Sequence, residues 1–285
     1  MVCCNKRVQR LATQWRQWPA YATLAVELFG EYLMTDTILY SRQGHVGRLV
    51  LNNPQRHNSL GREQLYALQG HLADVADDDQ VRVLIVTGTG EKTFCAGASL
   101  QELGGGEMKD DAFQNMTGQL ADLNIPTICA LNGDVFGGGV ELAVSCDFRI
   151  GIEGSRMRVP AAAIGLCYPL SGITRFVECL GVHATKRILV ASEEFDATNQ
   201  LEIGFLDHVV LQQNLVEVVN DLAQHVAGLA PLAVQAMKSI LKQAARGSID
   251  SGMAADLSRM CLESQDLKEG FAAKSEKRNP RFSGQ

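Results

Sequence analysis

The chain has 285 residues, 46% hydrophobic and 20% charged, with a formal net charge of −6. That length buries a large core, and the apolar fraction excludes a disordered or fibrous chain. An acidic balance with no long Lys/Arg run sets aside nucleic acid and an anionic membrane surface as default partners.

The first 33 residues hold both tryptophans and several basic residues, but Glu27 and Glu31 interrupt their apolar part, which argues against a secretory signal. No apolar run is long enough to span a membrane. Met34 is read as the start of the folding chain, with residues 1–33 an upstream extension or an added amphipathic helix.

From Thr35 the apolar period alternates between strand and helix. "TILYSR" and "VGRLVLN" read as a hairpin, residues 63–77 as a helix, and "VRVLIVTG" and "IPTICALNG" as buried strands. Beyond about residue 175 the pattern becomes helical over 182–191, 196–203, 213–228, 231–246 and 249–277, broken by the strand candidate "LDHVVL". The division expected is an α/β core over 34–195 followed by a helical module over 196–285.

The stretch "ALNGDVFGGGVELAVSCD" places Gly137, Gly138 and Gly139 between a strand and a helix. The first N–H groups of a helix have no intrahelical acceptor and carry the positive end of its dipole, so an anion or polarised carbonyl fits there. "TFCAGASLQEL" repeats the logic: Gly97 and Ala98 precede Ser99, which with Glu102 fits a capping box and leaves the Ala98 N–H directed outward. Side by side, the two junctions would form an oxyanion hole, in which one donor is worth about 3 kcal/mol of transition-state stabilisation. Taken singly, each junction also reads as a turn and packing device. Glu141 reads either as a first-turn carboxylate stabilised by the dipole or as an acid/base beside the donors.

Eight cysteines are scattered without CxxC spacing, several of them in apolar runs, which points to reduced thiols and a cytoplasmic location. The six histidines show no ligand spacing, and neither a dinucleotide fingerprint nor a P-loop is present. No metal and no nucleotide cofactor are expected.

"CAGASLQEL", "NGDVFGGGVELAVSCDFRI" and the ending "FAAKSEKRNPRF" resemble, in order and spacing from about residue 36 to 283, the enoyl-CoA hydratase/isomerase, or crotonase, superfamily. The resemblance implies an α/β fold, a crotonase-type spiral of ββα units in two roughly perpendicular sheets, with a C-terminal helical trimerisation module. It implies a homotrimer or a dimer of trimers. It also implies an acyl-CoA or acyl-carrier thioester substrate, with coenzyme A as the substrate carrier and no cofactor.

Carried over by position, the resemblance puts the oxyanion donors on Ala98 and Gly138 and the acid/base on Glu141. Ala96, Ser99, Leu100 and Gly137 line the substrate beside them. Arg56, in "NPQRHNSL", approaches the CoA nucleotide, and Lys274 and Lys277 reach a phosphate; a solvated surface explains these three cations equally well. The family's hydratases carry a second glutamate just after a proline, where "RMRVPAAAIGLCYPLSG" has Ala161. An alanine neither activates water nor delivers a proton. Tyr168, three residues after Gly165, resembles the tyrosine that helps hold a carboxylate in the family's methylmalonyl-CoA decarboxylases; it also reads as an ordinary loop tyrosine. Asp134 reads as a displaced second carboxylate or a strand-end turn residue. Three functions follow: a hydratase or isomerase using Glu141, a decarboxylase using Tyr168, and an acyl-CoA binder without turnover.

Overall fold

A computed structural model describes residues 37–99 and 111–285. The extension over 1–33, Leu100 and Glu102 lie outside the described residues.

The expected hairpin is β1 (Ile38–Gln43) and β2 (Val46–Leu51), antiparallel with Gln43 opposite Val46. Helix α1 (Arg62–Asp77) follows, with Leu65, Leu68, Leu72 and Val75 forming the inward stripe that a 3.6-residue period demands. Then come β3 (Val83–Gly88), β4 (Thr93–Cys95), α2 (Ala112–Asp122), β5 (Thr127–Leu131), β6 (Asp134–Phe136) and α3 (Gly138–Val144). After these lie β7 (Phe148–Ile152), β8 (Arg156–Arg158), α4 (Leu170–Thr185), β9 (Phe195–Asp196), α5 (Ala197–Glu202) and β10 (His208–Val210). Four helices close the chain: α6 (Leu215–Ala227), α7 (Pro231–Ala245), α8 (Ser251–Glu263) and α9 (Gln265–Glu276).

The strands form two sheets, a six-stranded one in the order β1-β2-β3-β5-β7-β10 and a four-stranded one in the order β4-β6-β8-β9. Apart from the antiparallel pairs β1/β2 and β8/β9, neighbours run parallel. The period of two along each strand divides the large sheet between two cores. Val83 and Ile85 of β3, with Ile128 and Ala130 of β5, pack against Leu215, Val219 and Ala223 of α6. Leu84, Val86, Cys129 and Leu131 face the opposite way, into the core shared with α1 and α2. Burial on both faces is why these strands read as nearly continuous apolar runs.

Two helix boundaries depart from the sequence reading. The helix expected over 182–191 begins at Leu170, is interrupted at Gly181 (φ 73°, ψ 167°), and passes after Thr185 into a wider turn over Lys186–Val190. The helix expected over 249–277 is two, because Ser264 is extended (φ −67°, ψ 154°) and its hydroxyl caps α9 at Leu267 N. "LDHVVL" supplies β10, paired with β7. No helix of the described residues is long and apolar enough to cross a membrane.

Candidate active site

The site is built where two neighbouring parallel strands end. β4 and β6 are hydrogen-bonded partners, so the turns leaving their carboxyl ends are adjacent, and the carboxyl end of parallel strands is where open α/β sheets hold ligands. After β4, Ala98 forms a parallel bridge with Leu60: Leu60 N donates to Gly97 O at 2.8 Å and Ser99 N to Leu60 O at 2.9 Å. That pattern turns the intervening Ala98 N–H away from Leu60. After β6, Gly137 holds φ 53° and ψ −124°, a conformation only glycine adopts without strain, and α3 begins at Gly138. Gly97 also has a positive φ, 85°, and a Cβ there would stand 2.5 Å from Gly138 N. A Cβ on Gly138 would lie 3.3 Å from Ala98 N and 2.6 Å from Phe113 Cζ. Absence of side chains at both glycines therefore lets the Ala98 and Gly138 amides come together.

Glu141 lies three residues after Gly138 on α3, 1% exposed, so its carboxylate is nearly dry. Arg175 Nη1 of α4 donates to its Oε1 at 2.7 Å, and Thr117 Oγ1 of α2 stands 3.1 Å from the same oxygen. Arg175 Nη1 also donates to Thr117 Oγ1 at 3.0 Å. The Tyr168 ring and Oε2 of Glu141 both lie against Gly172, close enough for each to influence the other's proton. Burial pushes the Glu141 carboxyl above the usual carboxylate range, a rise that the Arg175 charge, the Tyr168 hydroxyl and the hydrogen bonds from Thr117 and Arg175 reduce. Burial, reinforced by the Glu141 charge, raises the Tyr168 phenol well above its ordinary value, so it is a neutral donor at physiological pH. The Tyr168 ring meets Phe176 edge to face with centroids 5.7 Å apart.

Glycine at 172 makes the pairing of Tyr168 and Glu141 possible. A Cβ there would fall 2.6 Å from Tyr168 Cε1 and 3.0 Å from Glu141 Oε2. Ala161 is 6% exposed and packs in the same apolar core, so nothing ionisable stands at that position. Asp134 is engaged elsewhere, accepting from Arg156 N at 2.8 Å and pairing with Arg156 Nη2 at 2.7 Å.

Of the remaining sequence candidates, Ala96 donates its N–H to His57 O at 2.9 Å, and the Gly137 N–H is taken by Arg158 O at 2.9 Å. Ser99 is held by Leu60, while Arg56, Lys274 and Lys277 are exposed. Sequence reasoning missed Arg175 and Thr117. An arginine inside the apolar run "SGITRFVECL" was the available signal, since a cation placed there needs a buried partner. Among the described residues no group of three or more His, Cys, Asp or Glu is gathered as a metal site.

Comparison with known proteins identifies the family. The enoyl-CoA hydratase/isomerase family model matches residues 41–285. The crotonyl-CoA hydratase of Syntrophomonas wolfei is 30% identical over 87% of this chain and 98% of the relative. The carnitinyl-CoA dehydratase of Citrobacter koseri is 30% identical over 88% of this chain and 100% of its own. A crystal structure of an enoyl-CoA hydratase from Bacillus anthracis superposes with a TM-score of 0.79 at 30% identity, covering 88% of this chain and 100% of that one. The chain belongs to the enoyl-CoA hydratase/isomerase family. It is an enzyme of that type with the crotonase fold, as the resemblance implied.

Proposed function

We propose that the protein forms the enolate of an acyl-CoA thioester by proton transfer at the α-carbon, with Glu141 as acid/base and the Ala98 and Gly138 amides as the oxyanion hole. The Cα–H bond breaks, the proton passes to the Glu141 carboxylate, and the electron pair moves into the thioester, leaving the negative charge on its oxygen. Two preorganised N–H donors meet that charge without reorganising, and each is worth about 10²- to 10³-fold in rate. What supports the reading is the approach of Gly97 and Gly138, which brings the two amides together one helical turn from a buried carboxylate. Coenzyme A enters as the substrate handle, with Arg56, Lys274 and Lys277 as its phosphate partners and Ala96, Ser99, Leu100 and Gly137 along the acyl-thioester path; no cofactor takes part. Exposed apolar side chains on the closing helices, Leu241, Leu262 and Phe271, support a trimer or a dimer of trimers.

Alanine at 161 favours a second reading. Adding water to a double bond calls on a group to activate the water and another to protonate carbon, and position 161 supplies no carboxylate beside Glu141. In a malonyl-type thioester the bond to the carboxylate breaks instead, CO2 leaves, and the electron pair forms the same enolate. That anion then takes a proton relayed through Tyr168 and Glu141.

Mass spectrometry in deuterated water separates these outcomes. Butyryl-CoA gaining deuterium at Cα, and ceasing to do so with Glu141→Gln, supports the α-proton reading. Malonyl-type thioesters losing CO2 and retaining one deuteron move the assignment to decarboxylation, and water gained by crotonyl-CoA moves it to hydration. No mass change in any thioester that binds overturns both readings in favour of an acyl-CoA binder.

A further inference from the structure

Glu141 presents two unequal oxygens. Oε1 is held by Arg175 at 2.7 Å with Thr117 beside it, whereas Oε2 lies on the side of Tyr168, over the bare backbone of Gly172. Thr117 is a divided donor. Its single hydroxyl hydrogen serves Glu141, the Phe113 carbonyl at 3.1 Å or the Gln114 carbonyl at 3.3 Å, the last two being bonds back to the preceding turn that threonine commonly makes inside helices. Arg175 is undivided: the two hydrogens of one guanidinium nitrogen reach Glu141 and Thr117 together. Arg175 and Gly172 sit three residues apart on α4, hence on one face, so a single helical turn grips one oxygen and makes room for the other.

We infer that Arg175 is the positioning residue of the acid/base: it immobilises Oε1 of Glu141, reserves Oε2 for the proton, and keeps a buried carboxylate able to ionise. This rests on the reading of Glu141 as acid/base. A carboxyl at 1% exposure with no cation beside it is held protonated above the usual carboxylate range, and no second carboxylate at 161 shares the work. Arg175, with a side chain 13% exposed, is the charge that opposes this.

The carboxylates on the elements packed against α3 are paired elsewhere among the described residues, and the thiols are neutral. Cys95 on β4 is a thiol pushed up to about 12 by burial, Asp134 on β6 is paired with Arg156, and Glu178 on α4 is paired with Arg246. On α4, Cys179 is a thiol raised by burial and His183 is exposed, and Tyr168 beside Glu141 is neutral.

The test is to titrate Glu141 directly. Protein labelled at the glutamate carboxyl carbon is followed by carbon NMR against pH, the Glu141 signal being the one absent from Glu141→Gln. In Arg175→Gln the signal is expected to titrate about one pH unit or more higher than in wild type. The pH limb of α-proton exchange in butyryl-CoA that Glu141 sets should move with it. Arg175→Lys keeps a positive charge but loses the planar fork, and should titrate between the two with exchange slowed about tenfold or more. A folded Arg175→Gln protein whose Glu141 titrates as in wild type overturns the inference. Should that variant fail to fold, Arg175→Lys decides in the same way: an unmoved titration with unimpaired exchange overturns it. Exchange that persists in Glu141→Gln removes Glu141 from the chemistry whatever Arg175 does to its titration, and so overturns the underlying reading.

Discussion

A Cβ on Gly97 would stand 2.5 Å from the nitrogen of Gly138, so two turns far apart in sequence meet backbone against backbone. Real Cβ atoms do not approach amide nitrogens so closely, and Gly97 also has φ 85°. Gly97→Ala therefore pays twice, about 1–2 kcal/mol for the left-handed conformation and more for the clash. Because the clash displaces Gly138 N, turnover should fall about 100-fold or more, as expected on losing one oxyanion donor. Gly70→Ala, in the interior of α1 with open space around the new methyl, should instead stabilise by about 1 kcal/mol with activity unchanged. Urea unfolding and turnover of the two variants check this contrast; equal effects would mean that the close approach does not matter.

How much of this was readable beforehand depends on element length. β2, β3 and β5 run to five or six residues, enough for the apolar pattern to declare itself, and α1 shows three turns of regular stripe. β4, β6 and β8 have three residues each and β9 two, which is less than the period needs, so the second sheet entered only through the family resemblance. The start of α4 was hidden because Pro169, Gly172 and Gly181 are helix-ending signals in sequence, yet here Pro169 precedes the first turn and Gly172 makes room for Tyr168. Glu141 and the glycines were legible because their chemistry is local to one junction. Thr117 and Arg175 come from two other helices, and only the fold brings them to Glu141.

Stability should register the dry environment of Glu141. Its carboxyl binds a proton more tightly folded than unfolded, so the folded state is favoured most below the unfolded value of about 4.3. As pH rises from there the unfolded chain releases its proton first, and stability declines until the folded group has ionised too. Arg175 reduces this decline without reversing it. Urea midpoints of wild type and Glu141→Gln from acid to neutral pH isolate the effect: the wild type should lose ground to the variant as pH rises. A difference moving the other way would mean that the ion pair outweighs burial.

Tyr168 gives the complementary expectation at alkaline pH. Burial and the Glu141 charge hold its phenol neutral well above the ordinary value of about 10. This group's stabilisation is fully present below the unfolded phenol's value of about 10 and begins to be lost there, where the unfolded tyrosine titrates first. For an acid raised in the folded state, stability declines as pH climbs through that window. Tyr40 is also raised by burial, so the ultraviolet titration of tyrosinate must be read as the difference between wild type and Tyr168→Phe. The difference should show one late-titrating phenol; a phenol that ionises normally would place Tyr168 in water and remove it from the proton path.

The last prediction concerns the missing carboxylate. Ala161 is 6% exposed, and its carbonyl accepts from Leu166 N at 2.9 Å, so the residue is held by backbone bonds that do not depend on its side chain. Ala161→Glu thus keeps the turn but adds a carboxyl to an apolar core, at a cost of about 1–3 kcal/mol. The same burial raises the proton affinity of the new group towards neutral pH, which suits a general acid or base. Hydration of crotonyl-CoA should rise about tenfold or more over wild type while the unfolding midpoint falls. If a folded Ala161→Glu protein gains no hydration, a missing carboxylate is not what limits that reaction. The reason for setting hydration below proton transfer and decarboxylation would then fall away.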